Sequence, residues 1–557
     1  MKKLIILLFI ISVGQYSFAQ KADLILRNGN IITLQNAGQR VEAIAIKSDK
    51  IIATGTNELI SKYISAQTKV IDLKGRTVIP GFNDVHQHPF PVYEWDKTYA
   101  SLRLDTVSSM RSLISLLKKK AAVTPKGMLI KGVGYNELKL GGQPIRDSLD
   151  LATTNHPIMI SHASGHLVAV NSLMLELNKI SRETKDPPGG ALERYQNGLP
   201  DGIIKEQARS LLTSKKIIES PAPSHAEELE GYKIYFTQML AGGITSIGDC
   251  GVNPEKLNIY NELVASKFPF RFNLYLRVDY LDQILSGKIK KVEKPYLRLA
   301  GVKMFHGNSL SGKTCWLYEP YEMLNPATNE KDYFGIPPAR TQGSLDSLVL
   351  KIQTAGLQIA CHSNGDREID MFINAIEKAQ LVNPKIDMRH RIEHCSVTNS
   401  PMLEKIKKDN IVPVFHCYIN ELGGQLAVYG EKRLSMMMPT KTALDMGIPF
   451  ALHSDYPISR YEAMIRLASA VNRTTKEGKV LGEKQRIEVE EAIKAYTVGG
   501  AFTSHEENIK GLIKVGQYAD LVILEKDPTT ISKKEIELIH VMATIVGGKI
   551  AYEKKKN

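Results

Sequence analysis

The chain has 557 residues, several times a typical domain, so two domains or one large barrel with attachments is expected rather than a single small core. Hydrophobic residues make up 43% and charged residues 24%, with 25 Pro and 41 Gly scattered along the chain, a globular composition that excludes collagen, coiled coil and wholesale disorder. The net charge of +13 is interspersed with acids, its only dense run is Lys554, Lys555 and Lys556, and with no basic stripe interleaved with aromatics, no nucleic-acid partner is expected.

The first residues, MKKLIILLFIISVGQYSFAQ, place Lys2 and Lys3 before an apolar run over 4–13, then Ser17 and Ala19 at the small positions before Gln20. This is the pattern of a signal peptide over 1–19, too short for a comfortable membrane span. It predicts an exported protein, periplasmic or secreted, that does not associate with the membrane after cleavage. The five cysteines form no dense framework and are expected to be free, buried thiols.

Residues 20–78 alternate short β-rich runs with turn signals: ADLILRNGNIITL, VEAIAIKSDKIIATG and KVIDLKGRTVI. Asn28-Gly29 and the neighbourhood of Asp49-Lys50 read as hairpin turns. Residues 510–557 have the same texture, in YADLVILEKDP and HVMATIVGGKIAYE. One small composite β-sandwich built from both ends fits this pattern, and two unrelated caps fit it as well. Over 79–509, eight short apolar runs (TVIPGFNDVHQH, GITSIGDC, RFNLYLRV, LAGVKMF, LQIACHS, MRHRIEHC, IVPVFHC and PFALHSD) alternate with helical stretches such as SLDSLVLKIQTAG and EIDMFINAIEKAQ. That alternation predicts an α/β fold, a (β/α)8 TIM-like barrel. The first interval is too long for one crossover, so residues 89–240 are expected to form an insertion after strand one, placed as a lid or specificity element above the catalytic face.

His86 and His88, in DVHQH, lie two apart at the end of the first strand, where alternation points both rings the same way. That is half of a metal site. His362 in ACHSNGD, His394 in RIEHC and Asp455 in HSD fall at the C-terminal ends of later strands, where barrel active sites lie, and complete a convergent set of imidazoles and one carboxylate. Cys361 and Cys395 adjoin two of these histidines, and alternation turns them outward.

These motifs resemble the amidohydrolase superfamily, in particular the branch of amidohydrolase family 3 with YtcJ-like proteins and N-substituted formamide deformylases. The resemblance rests on VIPGFNDVHQHP, GHLVAVNS, DPPGGALERYQNGLPDG, GITSIGDCG, CHSNGDREID, RHRIEH, the SD pair of ALHSDYP and GLIKVGQYADLVIL, and spans nearly the whole mature chain. It implies a metal-dependent hydrolase of barrel plus composite sandwich. By the same resemblance His86 and His88 are ligands of the more buried metal and His362 and His394 of a second. Asp455 then contacts metal and handles the proton of the attacking water. Lys303, in GVKMF at the end of strand four, matches a position that carboxylation can turn into a bridge between two ions. A plain lysine paired with Asp249 or another strand-end acid is the alternative, and it goes with a mononuclear site.

His166 and Asn171, in SGHLVAVNS, match a motif of the insertion. His166 is expected either to reach the substrate carbonyl or to fix the fold of the insertion, and Asn171 is a lesser substrate candidate. His390, Arg391 and Glu393 are expected to orient strand six and its ligand, as an imidazole ligand needs a partner for its other nitrogen. His306 and His453 depart from the family pattern, which has an Asp-Gly after strand four and a Gly before the Ser-Asp of strand eight. They are candidates for substrate contact or proton relay, with solvated loop residues as the equal alternative. The predicted cofactor is a divalent metal, with zinc suited to the donor set, at one or two ions per chain.

The predicted reaction is hydrolysis of an amide-type, non-peptide C–N bond in a small molecule by metal-activated water, with Asp455 as general base and then acid. Ester or lactone hydrolysis, deamination and isomerisation at the same site are the alternatives within enzymology, and a noncatalytic exported binding protein is the alternative outside it. Association into a homo-oligomer is compatible with this class of barrel.

Overall fold

Long, nearly uniformly buried runs such as ITSIGDCGV and RFNLYLR form strands covered on both faces, the mark of a parallel sheet wrapped by helices. The computed structural model describes residues 20–92, 99–101, 107–325 and 328–555. The expected signal peptide over 1–19 lies outside the described residues. Eight parallel strands follow one another around a TIM-like barrel: Phe82–Gln87, Ile244–Val252, Arg271–Arg277, Leu297–Phe305, Gln358–Ser363, Arg391–His394, Val412–Phe415 and Ala451–Leu452, here called barrel strands one to eight. The helices Gln342–Thr354 and Asp366–Val382 flank strand five and bury the apolar stripes read from the sequence.

Strand eight is two residues long, and the seam with strand one is sewn by the residues after it. Asp455 N–H donates to the His86 carbonyl at 3.0 Å, His88 N–H to the Tyr456 carbonyl at 2.9 Å, and Ser454 N–H to Asp84 Oδ1 at 3.1 Å. Closure therefore occurs at the mouth, beside His86, His88 and Asp455.

The two β-rich ends share one core. A four-stranded sheet orders Lys50–Gly55, Ala43–Lys47, Leu24–Arg27 and Lys69–Asp72. A six-stranded sheet orders Lys549–Glu553, Val541–Val546, Leu521–Leu524, Thr77–Pro80, Asn30–Ile32 and Arg40–Val41, so C-terminal Leu521–Leu524 pairs antiparallel with N-terminal Thr77–Pro80. Leu24, Leu26, Ile31 and Ile44 pack with Ile513, Leu521 and Ile545 in one cluster. Ser48-Asp49 turns a true hairpin, since Lys47 and Lys50 are register partners. Asn28-Gly29 does not: its flanking strands lie in different sheets, and Asn28, at φ 57°, carries the chain across the sandwich. Both flanks carry buried aliphatics, so each pairs with a separate sheet and the shared core lies between. Arg271, at the start of strand three, locks barrel to sandwich through a buried bidentate pair with Asp520, Nε–Oδ2 at 2.6 Å and Nη2–Oδ1 at 3.0 Å.

The segment after strand one carries its own mixed sheet, ordered Gly190–Arg194, Pro200–Glu206, Leu167–Val170, Ile158–His162, Ile130–Tyr135 and Tyr99–Ser101. The helix Met110–Val123 buries Leu113 and Leu117 against it. No helix among the described residues is long and apolar enough to cross a membrane.

Candidate active site

The C-terminal ends of strands one, four, five, six, seven and eight bring a ring of imidazoles around Lys303 and Asp455. Along strand six, alternation sends Arg391 and Glu393 into the barrel and His390 and Ile392 outward. His394 leaves the extended region with φ 72°, which breaks the alternation and lets its ring reach the mouth as well. Asp455 has φ 55°, a left-handed conformation that Asp tolerates better than most residues.

Three donor atoms form a nearly equilateral triangle. His86 Nε2 lies 3.3 Å from His88 Nε2 and 3.4 Å from Asp455 Oδ1, and His88 Nε2 lies 3.3 Å from the same oxygen. Tetrahedral coordination with bonds of about 2.1 Å separates its ligand atoms by about 3.4 Å, so the triangle fits a zinc-sized ion. Asp455 Oδ1 is buried and receives no well-formed hydrogen bond from any described residue, as expected of a ligand atom. His86 Nδ1 faces Glu393 Oε2 at 2.5 Å, which places its proton there and turns the Nε2 lone pair toward the triangle. Glu393 in turn is clasped by Arg391, Nε–Oε1 at 2.7 Å and Nη2–Oε2 at 2.8 Å.

A second pair of donors lies alongside, with His394 Nε2 3.0 Å from His362 Nδ1. His362 donates its other nitrogen to the Asn308 carbonyl at 3.1 Å. Lys303, 1% exposed, puts Nζ 3.3 Å from His86 Nε2. Asp249, one acid that the alternative of an unmodified Lys303 would pair with, has its Oδ2 taken by Lys256 Nζ and the Tyr260 hydroxyl, each at 2.6 Å.

Burial sets the protonation of this ring. It holds His86, His362, His394 and His453 well below the ordinary imidazole value, reinforced by the Lys303 charge, and it brings His416 down to about 4. Neutral imidazoles are the form that ligates. Burial raises the Asp455 carboxyl, but the close approach of the His88 imidazole and the neighbouring His416 and Lys303 more than offset this and leave it below the usual aspartate range.

The insertion supplies a wall. His166 packs tilted against His362 with ring centroids 4.8 Å apart, and its Nδ1 meets Glu206 Oε2 at 2.7 Å. A cleft of about 410 Å³ opens beside them, lined by Gly165, His166, Glu206, Gln207, Arg209, Ser210, Phe305, Gly307 and Asn308. Its size suits a small molecule.

Other residues singled out in the sequence lie elsewhere. Asn171 caps the helix Ser172–Leu177: its Oδ1 accepts from Met174 N–H and Ile158 N–H, and its Nδ2 donates to the His156 carbonyl. Its side chain is consumed by the insertion, so the expected substrate contact is replaced by a cap. His390 accepts from Ile359 N–H at 3.1 Å and faces Gln353 on the helix side, because alternation separates it from Arg391 and Glu393. Glu393 steadies the ligand of strand one rather than that of its own strand. His306 is buried, neither ring nitrogen has a partner among the described residues, and it stands beside Arg340, outside the ring of imidazoles. His453 stands inside that ring, stacked 4.8 Å from His86. The cysteines are free and buried, and Cys361 and Cys395 pack in the apolar core.

Three contributors escaped the sequence reading. His416 follows strand seven in VPVFHC, at a strand end like the other imidazoles of the ring, and position alone identifies it. Glu206, with φ 53°, holds His166, receives Ser309 N–H at 3.2 Å and bonds Thr314 Oγ1. Glu368 gathers the loops after strands four and five by accepting the amides of Asn308, Trp316, Asn364 and Gly365.

A model of the amidohydrolase family matches residues 69–552. The chain is 29% identical over 545 residues to the Bacillus subtilis protein YtcJ, named as a candidate amidohydrolase, covering 95% of this chain and 99% of that one. It is 24% identical over 550 residues to an N-substituted formamide deformylase of Arthrobacter pascens, covering 96% and 99%. Among solved structures, an uncharacterized metal-dependent hydrolase of Pyrococcus horikoshii superposes with a TM-score of 0.71 at 25% identity, over 92% of this chain and 99% of that one.

Proposed function

The chain belongs to the amidohydrolase family, and from that premise we propose that it is an exported zinc hydrolase that cleaves an amide-type, non-peptide C–N bond in a small molecule. The observation that carries this reading is the triangle of His86 Nε2, His88 Nε2 and Asp455 Oδ1, in a ring whose His362 packs against His166, a wall of the cleft. The similarity to a formamide deformylase supports the choice of bond. The leader-like pattern over 1–19 supports export.

His86, His88 and Asp455 would hold one ion, with His362, His394 and a carboxylated Lys303 available for another. A divalent ion there supplies Lewis acidity to a carbonyl and lowers the pKa of water. Asp455, ionised at neutral pH, takes the proton of the attacking water and passes it to the departing nitrogen, which leaves as a neutral amine. His166, held through Nδ1 by Glu206, walls the cleft and would contact the substrate there. The Arg391–Glu393 pair keeps His86 in one tautomer throughout.

The test is hydrolysis of paired substrates, N-substituted formamides and other small amides against matched esters and lactones, by zinc-reconstituted protein and by Asp455→Asn. Amide turnover that falls about 10²–10⁴-fold in Asp455→Asn, with zinc retained, is the expected result. Turnover of esters alone reassigns the bond, and full activity in Asp455→Asn removes Asp455 from its role.

A further inference from the structure

Strands six, seven and eight each end in a histidine, and these three rings meet. His394 ends Arg391–His394, His416 follows Val412–Phe415, and His453 follows Ala451–Leu452. Ring centroids are 4.8 Å apart for His416 and His453, 5.1 Å for His394 and His453, and 5.8 Å for His394 and His416. One nitrogen from each lies within 4.8 Å of the other two, and all three rings are buried.

We propose that this chain holds a divalent transition-metal ion on His394, His416 and His453, a three-imidazole site next to the triangle of His86, His88 and Asp455.

The hydrogen bonds around the rings support this. His453 is 0% exposed and neither ring nitrogen has a partner among the described residues, an arrangement that is costly for an imidazole and is relieved by a ligated ion. His416 donates Nε2–H to the Ser454 carbonyl at 2.9 Å, which leaves Nδ1 as a bare lone pair turned inward. A second nitrogen bonded to a backbone carbonyl is how metal-bound imidazoles are oriented and their tautomer fixed. Tyr418 stacks on His416 at 3.9 Å and covers it. Asp455 Oδ2 lies 4.0 Å from His416 Nδ1 and supplies the nearest anionic oxygen. Three neutral nitrogens with an open fourth position suit zinc or cobalt. This site takes His394 away from the pairing with His362 and Lys303 and so replaces that set as the seat of the second ion, which would not depend on a carbamate.

The experiment counts zinc per chain by elemental analysis and measures affinity by chelator competition. It uses the full mature chain and the variants His453→Gly, His416→Ala, Lys303→Met and His86→Ala, with unfolding of the metal-free forms as a control. His416→Asn serves as a milder substitution should His416→Ala fold poorly. About two ions in the parent and in Lys303→Met, and about one in each of the His453 and His416 variants, is the expected result. Cobalt loading should show a tetrahedral visible band that weakens in the same two variants. Parental stoichiometry and affinity in His453→Gly and His416→Asn would overturn the proposal. So would a single ion that is lost in His86→Ala and kept in the others, an outcome that leaves the hydrolase reading standing.

Discussion

Glu393→Gln is a one-atom change at the centre of the site, and its cost follows from counting acceptors. Glu393 Oε1 serves Arg391 Nε, while Oε2 serves both Arg391 Nη2 and His86 Nδ1. Glutamine keeps one acceptor and introduces a donor, so either the guanidinium or His86 Nδ1 must face an NH₂ group. If the NH₂ faces His86, the imidazole relieves the clash by moving its proton to Nε2, the nitrogen turned toward His88 and Asp455, and the lone pair of the triangle is lost. If it faces Arg391 Nε, that bond is lost, and the fully buried guanidinium keeps the Tyr275 hydroxyl, the Val85 carbonyl and the remaining oxygen but, as in the other orientation, has no counter-anion. Breaking a buried pair in this way costs about 3–5 kcal/mol, and glutamine's remaining oxygen puts the expectation near the lower end. Loss of a group that orients a ligand weakens metal binding about 10–100-fold, which is about 1.4–2.8 kcal/mol. Competition with a chromophoric chelator measures the second effect and urea unfolding of the metal-free protein the first. Zinc affinity within twofold of the parent, with an unchanged unfolding midpoint, would refute the argument that Glu393 fixes the His86 tautomer.

Acid should destabilise the metal-free protein. Burial lowers His390 to about 3 and His306 and His416 to about 4, so between the unfolded value near 6.5 and those values the unfolded chain binds more protons than the folded one. Stability is fully present above pH 6.5 and falls as pH drops, by about 1.4 kcal/mol per unit for each such histidine. Urea unfolding at pH 7 and pH 5 should show that loss, and a flat profile would contradict the buried neutral assignment. Asp520→Ala should destabilise the chain by about 3–5 kcal/mol by stranding Arg271, with the sandwich and barrel transitions separating in calorimetry. An unchanged melting profile would show that the pair does not couple them. Glu206→Gln should lower kcat about tenfold with little change in KM, since it weakens the hold on His166 and leaves the cleft lined. A change in KM alone would make Glu206 a binding group.

The barrel was legible because its strands are buried on both faces and read as apolar runs, each of which became a strand. Strand-end position then carried most of the site: His86, His88, His362, His394 and Asp455 converge. The same rule holds for His416, which sits in an equivalent place but lacks the His-x-His spacing that drew attention to strand one. Partners that depend on tertiary placement were not legible. Glu206 meets His166 only because the hairpin of the insertion folds back 40 residues later. His390 was grouped with Arg391 and Glu393 by proximity in sequence, although a period of two puts it on the opposite face. Asn171 reads as a helix cap once the apolar run that follows it, SLMLEL, is taken as a helix.

The composite sandwich also constrains how the chain is made. Thr77–Pro80 is synthesised early, yet Leu521–Leu524 is among the last segments to emerge. Until then the early strand presents an unpaired aliphatic edge, the kind of surface that pairs with other chains. The seam of the barrel has the same character, since the backbone of His86 waits for Asp455. Both closures join residues hundreds of positions apart, so folding should be slow and end in a late, concerted step that completes sandwich, barrel and donor triangle together. A ribosome stalled short of the final strands would then carry a chain with every residue of the donor ring already present and no assembled site.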